Sequence, residues 1–264
     1  MKTGGKKRRR PVVLSIAGYD PSSGAGITAD IKTMAAHGCY GVTCITALTV
    51  QSTRGVKRVV PVGGKIIADT LNELAGDFEI AAVKIGMLAS ADAVRAVAGF
   101  LKHHRFKIVV LDPVLLSSSG TRLLTKEGLR VMRENLLKLA DVVAPNIDEA
   151  AALSGLAVRV IAEVPAAALR LHKLGARNVI ITGGHLDPPT DFLSIDSGAW
   201  TKTFTGKKIS TRSTHGTGCA FSTGLACSLA AGSDLVQAMT AARAYVRAAL
   251  QSASPLGKGT GPVV

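Results

Sequence analysis

Aromatic residues make up only 4% of the 264 positions, and the four cysteines have neither C-x-x-C spacing nor the density of a disulfide scaffold. The first scarcity removes the stacking platform on which single-stranded nucleic acids are read, and no RNA-recognition, helix-turn-helix or zinc-finger pattern replaces it. The second argues against a disulfide-stapled fold and a structural metal. It points to reduced thiols at Cys39, Cys44, Cys219 and Cys227 in a reducing compartment. No apolar run approaches the roughly 18 to 20 residues of a membrane span, and no signal-peptide core follows the first residues. A cytoplasmic protein is the expectation. A Walker A loop, G-x-x-x-x-G-K-[ST], is absent, which sets aside P-loop kinases and ATPases. Internal repeats and dividing linkers are also missing, so residues 11–264 read as a single domain with 47% hydrophobic content, enough for a large core.

Positive charge is what the chain has in excess: +14 net, with pI near 10.0. Six of these charges lie in Lys2, Lys6, Lys7, Arg8, Arg9 and Arg10, and the rest of the chain carries +8. Residues 1–10 read as a solvated, disordered basic arm. Contact with nucleic acid is expected only through that arm, and a non-enzymatic nucleic-acid-binding protein is a remote alternative. The moderately basic body suits anionic small substrates.

Short β-branched apolar runs alternate with amphipathic stretches along the chain. Strands are expected at Val12–Ala17, Val42–Val50, Ala81–Ile85, Ile108–Leu111, Val142–Ala144 and Asn178–Thr182. Helices are expected at Ile27–His37, Lys65–Leu74, Ala91–Lys102 and Lys126–Leu139, near Asp148–Leu153 and Pro165–Leu174, and at Ala220–Ala231 and Leu235–Leu250. A small hairpin, Asp191–Ile195 with Trp200–Thr205, turns at Asp196–Gly198. Continuously apolar strands between amphipathic helices imply an α/β fold with a mostly parallel sheet covered on both faces. Ligands in such sheets collect at the C-terminal strand ends, and the unusual residues of this chain fall there: Gly18–Gly26, Gln51–Gly55, Gly86–Met87, Asp112–Pro113, Asn146–Glu149 and Gly183–His185.

The segment Ser213–Phe221, STHGTGCAF, carries the strongest chemical signal. Gly216 and Gly218 bring no side chains, so the backbone N–H groups from Thr217 onward can close on phosphate oxygens at a helix N-terminus. Cys219 then stands where amide groups and the helix dipole favour a thiolate. A glycine turn before an ordinary buried helix is the structural alternative. The loop Gly18–Gly26 superficially resembles a dinucleotide fingerprint, but its G-x5-G-x-G spacing and the lack of a ribose-binding acid after the second strand argue against a Rossmann dehydrogenase. Asp112 closes an apolar strand, and Asn146 with Glu149 forms N-x-x-E. These residues suit a magnesium nucleotide, while Asn146 and Glu149 also spell a helix capping box and Asp112 a strand-end turn former.

Six motifs in register, LSIAGYDPSSGAGITADIKTMAAHGCYGVTCITALTVQSTRGV, VKIGML, VLDPV, APNIDEAAAL, ITGGH and STHGTGCAFS, resemble the hydroxymethylpyrimidine/phosphomethylpyrimidine kinases of thiamin biosynthesis, in the ribokinase superfamily. The resemblance runs from about Val13 to Gly261. It implies a three-layer αβα ribokinase-like fold, a homodimer, and phosphorylation of 4-amino-5-hydroxymethyl-2-methylpyrimidine and then of its monophosphate with ATP and Mg2+. By the same resemblance Gly18, Asp30, Gln51, Met87 and Val114 surround the pyrimidine. Cys219 replaces the superfamily's catalytic Asp, and Gly216, Thr217 and Gly218 supply the anion-binding amides. Asn146, Thr182, Gly184, Thr211 and Thr214 face the nucleotide, and Asp112 and Glu149 face the metal. A side-chain amide such as Gln51 can pair with an aminopyrimidine in two directions. The chain departs from many relatives at Thr182, where K-G-G-H becomes T-G-G-H and a phosphate-contacting lysine is lost. Lys258 is the candidate substitute charge. Vitamin B6 kinases of the same fold are the nearest alternative.

Overall fold

Nine strands form one sheet in the order β3-β2-β1-β4-β5-β6-β7-β8-β9. The structure, a computed structural model, describes residues 10–264, so the expected basic arm lies, apart from Arg10, outside the described residues. The strands are β1 (Val12–Tyr19), β2 (Tyr40–Ser52), β3 (Gly55–Pro61), β4 (Ile80–Ile85), β5 (Val109–Leu111), β6 (Val142–Val143), β7 (Asn178–Ile181), β8 (Thr190–Ile195) and β9 (Trp200–Thr205). From β2 to β7 neighbouring strands are parallel; β3 at one edge and β8 and β9 at the other run antiparallel.

Side-chain alternation along each strand divides the core into two layers. Leu14, Ile16, Val83, Ile85, Leu111, Val143 and Val179 face helices α2 (Gly64–Asp77), α3 (Ala91–His103), α4 (Lys126–Val131), α5 (Ile147–Ser154) and α6 (Val164–Lys173). Their intervening neighbours Val13, Ala82, Val110, Val142 and Ile180 face α1 (Gly26–Ala36), α7 (Thr217–Ala230) and α8 (Leu235–Ser252). Burial on both faces is why these strands read as continuous apolar runs rather than as alternating ones. This is the three-layer arrangement the sequence implies.

Three elements differ from the sequence expectation. Residues after Gln51 do not form a loop: β2 continues to Ser52 and pairs with β3, an edge strand whose Lys57, Arg58 and Pro61 hide its strand character. The expected helix Lys126–Leu139 is regular only to Val131, then widens over Met132–Leu136 and tightens over Leu137–Leu139. Helix α7 begins at Thr217, three residues before the apolar run that marks it in the sequence. Among the described residues no helix is long and apolar enough to cross a membrane.

Candidate active site

The connection from β1 leads to β2 on one side, whereas the chain re-enters the sheet at β4 on the other, so the loops after β1 and β4 diverge. Such a switch point opens a crevice at the C-terminal strand ends. A cavity of about 710 Å³ occupies it, bounded by the loops after β1, β4, β5, β6 and β7, the end of β2 and the start of α7. Two glycines let its walls meet. Gly216 has φ +88°, and a Cβ there would overlap the carbonyl oxygen of Gly24, while a Cβ on Gly24 would strike the His215 ring. The first and last βα loops therefore touch backbone to backbone.

Gly216, Thr217, Gly218 and Cys219 all line this cavity. They form the first turn of α7, where N–H groups have no intrahelical acceptors, so the turn retains the anion-binding geometry read from the sequence. The expected thiolate is corrected. Burial pushes the Cys219 thiol up to about 12, with Asp30 and Asp112 adding to the rise and only Lys84 and the Gly26 amide opposing it. Desolvation and two nearby carboxylates here work against the helix-end stabilisation of a thiolate, although Cys219 itself is only half-buried at the cavity wall.

Asp30 does not line the cavity and is fully buried, so the pyrimidine contact expected of it is also corrected. In α1 it faces the sheet, where Lys84 Nζ donates to both its oxygens at 3.0 and 2.9 Å and Thr223 Oγ1 donates at 2.7 Å. Ser15, the β1 partner of Lys84 in the parallel register, completes the group by donating its hydroxyl. Burial alone would push Lys84 towards its neutral form. Asp30, Cys219 and Asp112 overcome it and hold Lys84 above the ordinary lysine range. The node thus places a permanent cation under the catalytic turn. Its signal in the sequence was a lysine interrupting the apolar strand IAAVKI, on the same face as Ala82.

Gly18, Gln51, Met87 and Val114 line one end of the cavity, and Met87 and Val114 join Ala47, Val56, Val59, Ala89 and Leu123 in a small apolar cluster beneath it. Gln51 contacts His215 at 3.0 Å, and His215 contacts Asp20 at 2.8 Å. Neither His215 nor Asp20 was singled out from the sequence, although His215 sits inside the HGTGC motif. Only spatial proximity gives the pair its meaning.

At the opposite end, Asn146, Thr182, Thr214, Asp112 and Glu149 line the cavity. The capping box is present: Asn146 Oδ1 accepts from the Glu149 amide and Glu149 Oε2 accepts from the Asn146 amide, both at 2.9 Å. The capping-box reading of this motif holds, and both residues also line the cavity. Burial and the neighbouring Asp112 push Glu149 up to about 8, and burial likewise raises Asp112 despite Lys84 and a 2.7 Å hydrogen bond from Ser222. A buried carboxylate raised by a second one beside it fits a cation that would relieve the repulsion. Among the described residues no three His, Cys, Asp or Glu side chains converge, so such a cation would depend on phosphate and water oxygens for its remaining ligands.

Gly184, Thr211 and Lys258 lie outside the cavity lining, beside it in sequence or in the C-terminal loop. Gly184 is exposed on the turn closed by the Leu186 amide on Gly183. The Thr211 hydroxyl accepts from the Ser213 amide. Lys258 is exposed, in a C-terminal loop whose flanking Gly257 and Gly259 pack against Thr53. Arg122, in the loop between β5 and α4, is the lysine or arginine that lines the cavity among the described residues.

A glycine turn at a helix N-terminus, facing buried carboxylates across the switch point of a three-layer sheet, defines a ribokinase-like phosphotransferase fold. The chain belongs to the phosphomethylpyrimidine kinase family, whose pattern it matches over residues 20–264. It is 41% identical over 257 residues to the hydroxymethylpyrimidine/phosphomethylpyrimidine kinase of Haemophilus influenzae, covering 95% of this chain and 94% of that one. It is 42% identical over 254 residues to the thiamine biosynthesis bifunctional protein ThiED of Geobacter sulfurreducens, covering 96% of this chain but only 52% of that longer protein. Among solved structures, the ADP complex of Bacillus subtilis pyridoxal kinase superposes with a TM-score of 0.87 at 33% identity, covering 96% of each chain.

Proposed function

We propose that this protein is an ATP-dependent kinase that phosphorylates 4-amino-5-hydroxymethyl-2-methylpyrimidine and then its monophosphate, in thiamin biosynthesis. The observation that carries this reading is that one cavity joins Gln51, Met87 and Val114 at one end to Asn146, Thr182 and Glu149 at the other, with the α7 turn lining it as well. Gln51 offers both a donor and an acceptor to an aminopyrimidine edge, and Met87 and Val114 offer apolar contact to its ring and methyl group. The amides of Gly218 and Cys219 meet the charge that develops on the transferred phosphoryl group.

Phosphoryl transfer passes through a loose transition state, in which alignment and charge stabilisation matter more than a strong base. The Cys219 sulfur is placed to accept a hydrogen bond from the substrate hydroxyl and orient it, and the hydroxyl proton passes late to an oxygen of the transferred phosphoryl group. Lys84 below it adds positive charge without touching the reacting atoms. Asp112 and Glu149 would hold magnesium, which when bound neutralises nucleotide phosphate charge. Arg122 takes the place assigned to Lys258 as the cation for an anionic substrate group, because it lines the cavity and Lys258 does not.

Pyridoxal phosphorylation is the second reading, favoured by the structural likeness to a pyridoxal kinase. Product analysis by phosphorus NMR with ATP and each alcohol separates the two. The proposal requires faster turnover of the pyrimidine alcohol, with both monophosphate and diphosphate appearing; preference for pyridoxal would overturn it. The same reading takes residues 11–264 as one cytoplasmic kinase domain that works as a homodimer. Leu48 and Val60, cross-strand partners nearly half exposed on the outer face of β2 and β3, support the dimer.

A further inference from the structure

The contacts around His215 fix where its proton lies. Asp20 Oδ1 accepts from the amide and hydroxyl of Ser22, at 2.8 and 2.7 Å, and Oδ2 accepts from the amides of Gly24 and Ala25, at 3.2 and 2.9 Å. Burial opposes charge on Asp20, but His215 and Ser22 outweigh it and hold the carboxyl below its ordinary range. Asp20 is therefore an acceptor only. His215 Nε2, 2.8 Å from Asp20 Oδ2, must carry the proton. Its Nδ1 lies 3.5 Å from the Ser118 hydroxyl.

This inventory decides how Gln51 is turned. The Gln51 amide nitrogen at 3.0 Å from His215 Nε2 would set two donors against each other. The other end of the amide is 3.2 Å from Thr49 Oγ1, whose own proton is given to the Tyr19 carbonyl at 2.9 Å. Thr49 can then only accept from Gln51. With the amide oxygen facing His215 and the amide nitrogen facing Thr49, the one His215 N–H is shared between Asp20 Oδ2 and the Gln51 oxygen, and Thr49 Oγ1 accepts from the amide. One N–H of that nitrogen goes to Thr49, and because Gln51 lines the cavity the second can be offered to a ligand there.

We propose that His215, held by Asp20, is the positioning residue that fixes the Gln51 amide with an N–H donor free for substrate, so that the site selects a heteroaromatic ring bearing a nitrogen acceptor at that point. This rests on the pyrimidine-kinase reading above and specifies how that site discriminates. The relay joins the loop after β1, the end of β2, the loop after β5 and the turn before α7. It acts on specificity through Gln51 and touches none of the reacting atoms.

Two measurements on the full chain test it. The first compares kcat/KM for the pyrimidine alcohol with that for its analogue in which a ring nitrogen is replaced by C–H. Wild-type protein should favour the alcohol by about ten- to a hundredfold for at least one ring position, as expected for one hydrogen bond to a buried donor. In Asp20→Asn the new amide can donate to His215, reverse its tautomer and turn Gln51 over. Discrimination should then fall to a few-fold, with the loss carried by KM more than by kcat. His215→Phe should lose it as well, and His215→Gln, which keeps an N–H for Asp20, should restore part of it. Undiminished discrimination in Asp20→Asn overturns the inference. The second measurement, ring nitrogen-15 shifts of His215 in the unliganded protein, needs no turnover. A proton on Nε2 is expected, and a neutral ring protonated only on Nδ1 overturns the relay. Failure of the wild-type protein to phosphorylate either alcohol would instead remove the pyrimidine-kinase reading, leaving the nitrogen shifts to decide the relay.

Discussion

Lys84 Nζ lies 2.9 Å from Asp30 Oδ2, and neither side chain has any exposed surface. A buried pair of this kind contributes little net stability against an apolar replacement, because desolvation offsets attraction, but losing one partner strands a charge. Lys84→Met or Asp30→Asn alone should destabilise the fold, by about 3 to 5 kcal/mol for full loss of one partner. The double variant should lose less than the two single effects combined. Urea unfolding of the four proteins measures this, and strict additivity would show that the two charges are not coupled.

Cys219 offers a kinetic test and a pH test. Cys219→Ala should reduce turnover on the order of a hundredfold, the scale of losing the alignment of an attacking group, with little effect on ATP affinity. Burial raises the folded thiol from its ordinary 9.0 to about 12, so the fold favours the neutral form. Its contribution to stability is therefore complete below about pH 9 and is lost as pH rises towards 12. Wild-type protein should lose stability more steeply than Cys219→Ala over that alkaline window. A Cys219-dependent thiolate absorbance at pH 7 to 8 would contradict the assignment.

Arg122 should distinguish the two substrates. Arg122→Gln is expected to raise KM for the monophosphate about tenfold, the loss of one charge-assisted hydrogen bond, while moving KM for the alcohol much less. Equal shifts for both would show that the arginine shapes the loop without meeting the phosphate. Thr182→Lys offers a complementary gain of charge at the position where many relatives carry lysine.

The outer face of the β2 and β3 ribbon should govern assembly. Leu48→Glu with Val60→Glu places two like charges opposite each other on that face, which should convert a dimer to monomer in analytical ultracentrifugation. A wild-type monomer, or a double variant that still sediments as dimer, would exclude this surface as the contact.

The sequence makes the central strands legible because both their faces are covered, so β1, β4, β5 and β7 read as short apolar runs. Edge strand β3 escapes that logic: with one side of its ladder open, it tolerates Lys57, Arg58 and Pro61 and looks like a loop. Site residues near a motif's backbone features, such as Gly216 and Gly218, were readable, since helix ends are local. The state of Cys219 was not. It depends on Asp30 and Asp112, brought in from α1 and the end of β5, which local sequence does not encode. Lys84 was legible in principle, because alternation from Val83 and Ile85 already assigns it to the α1 and α7 layer beside Ser15.

The backbone contact of Gly24 with Gly216 closes the cavity through partners far apart in sequence. Asp20 and His215 are 195 positions apart, and Gly261 and Val263 pair with His215 on its other side. Pairing β1 with β2 and β4 needs shorter loops than joining these segments, so the sheet can form before the cavity does. Cutting the chain before Gly261 should leave most of the sheet while the cavity loses one of its walls.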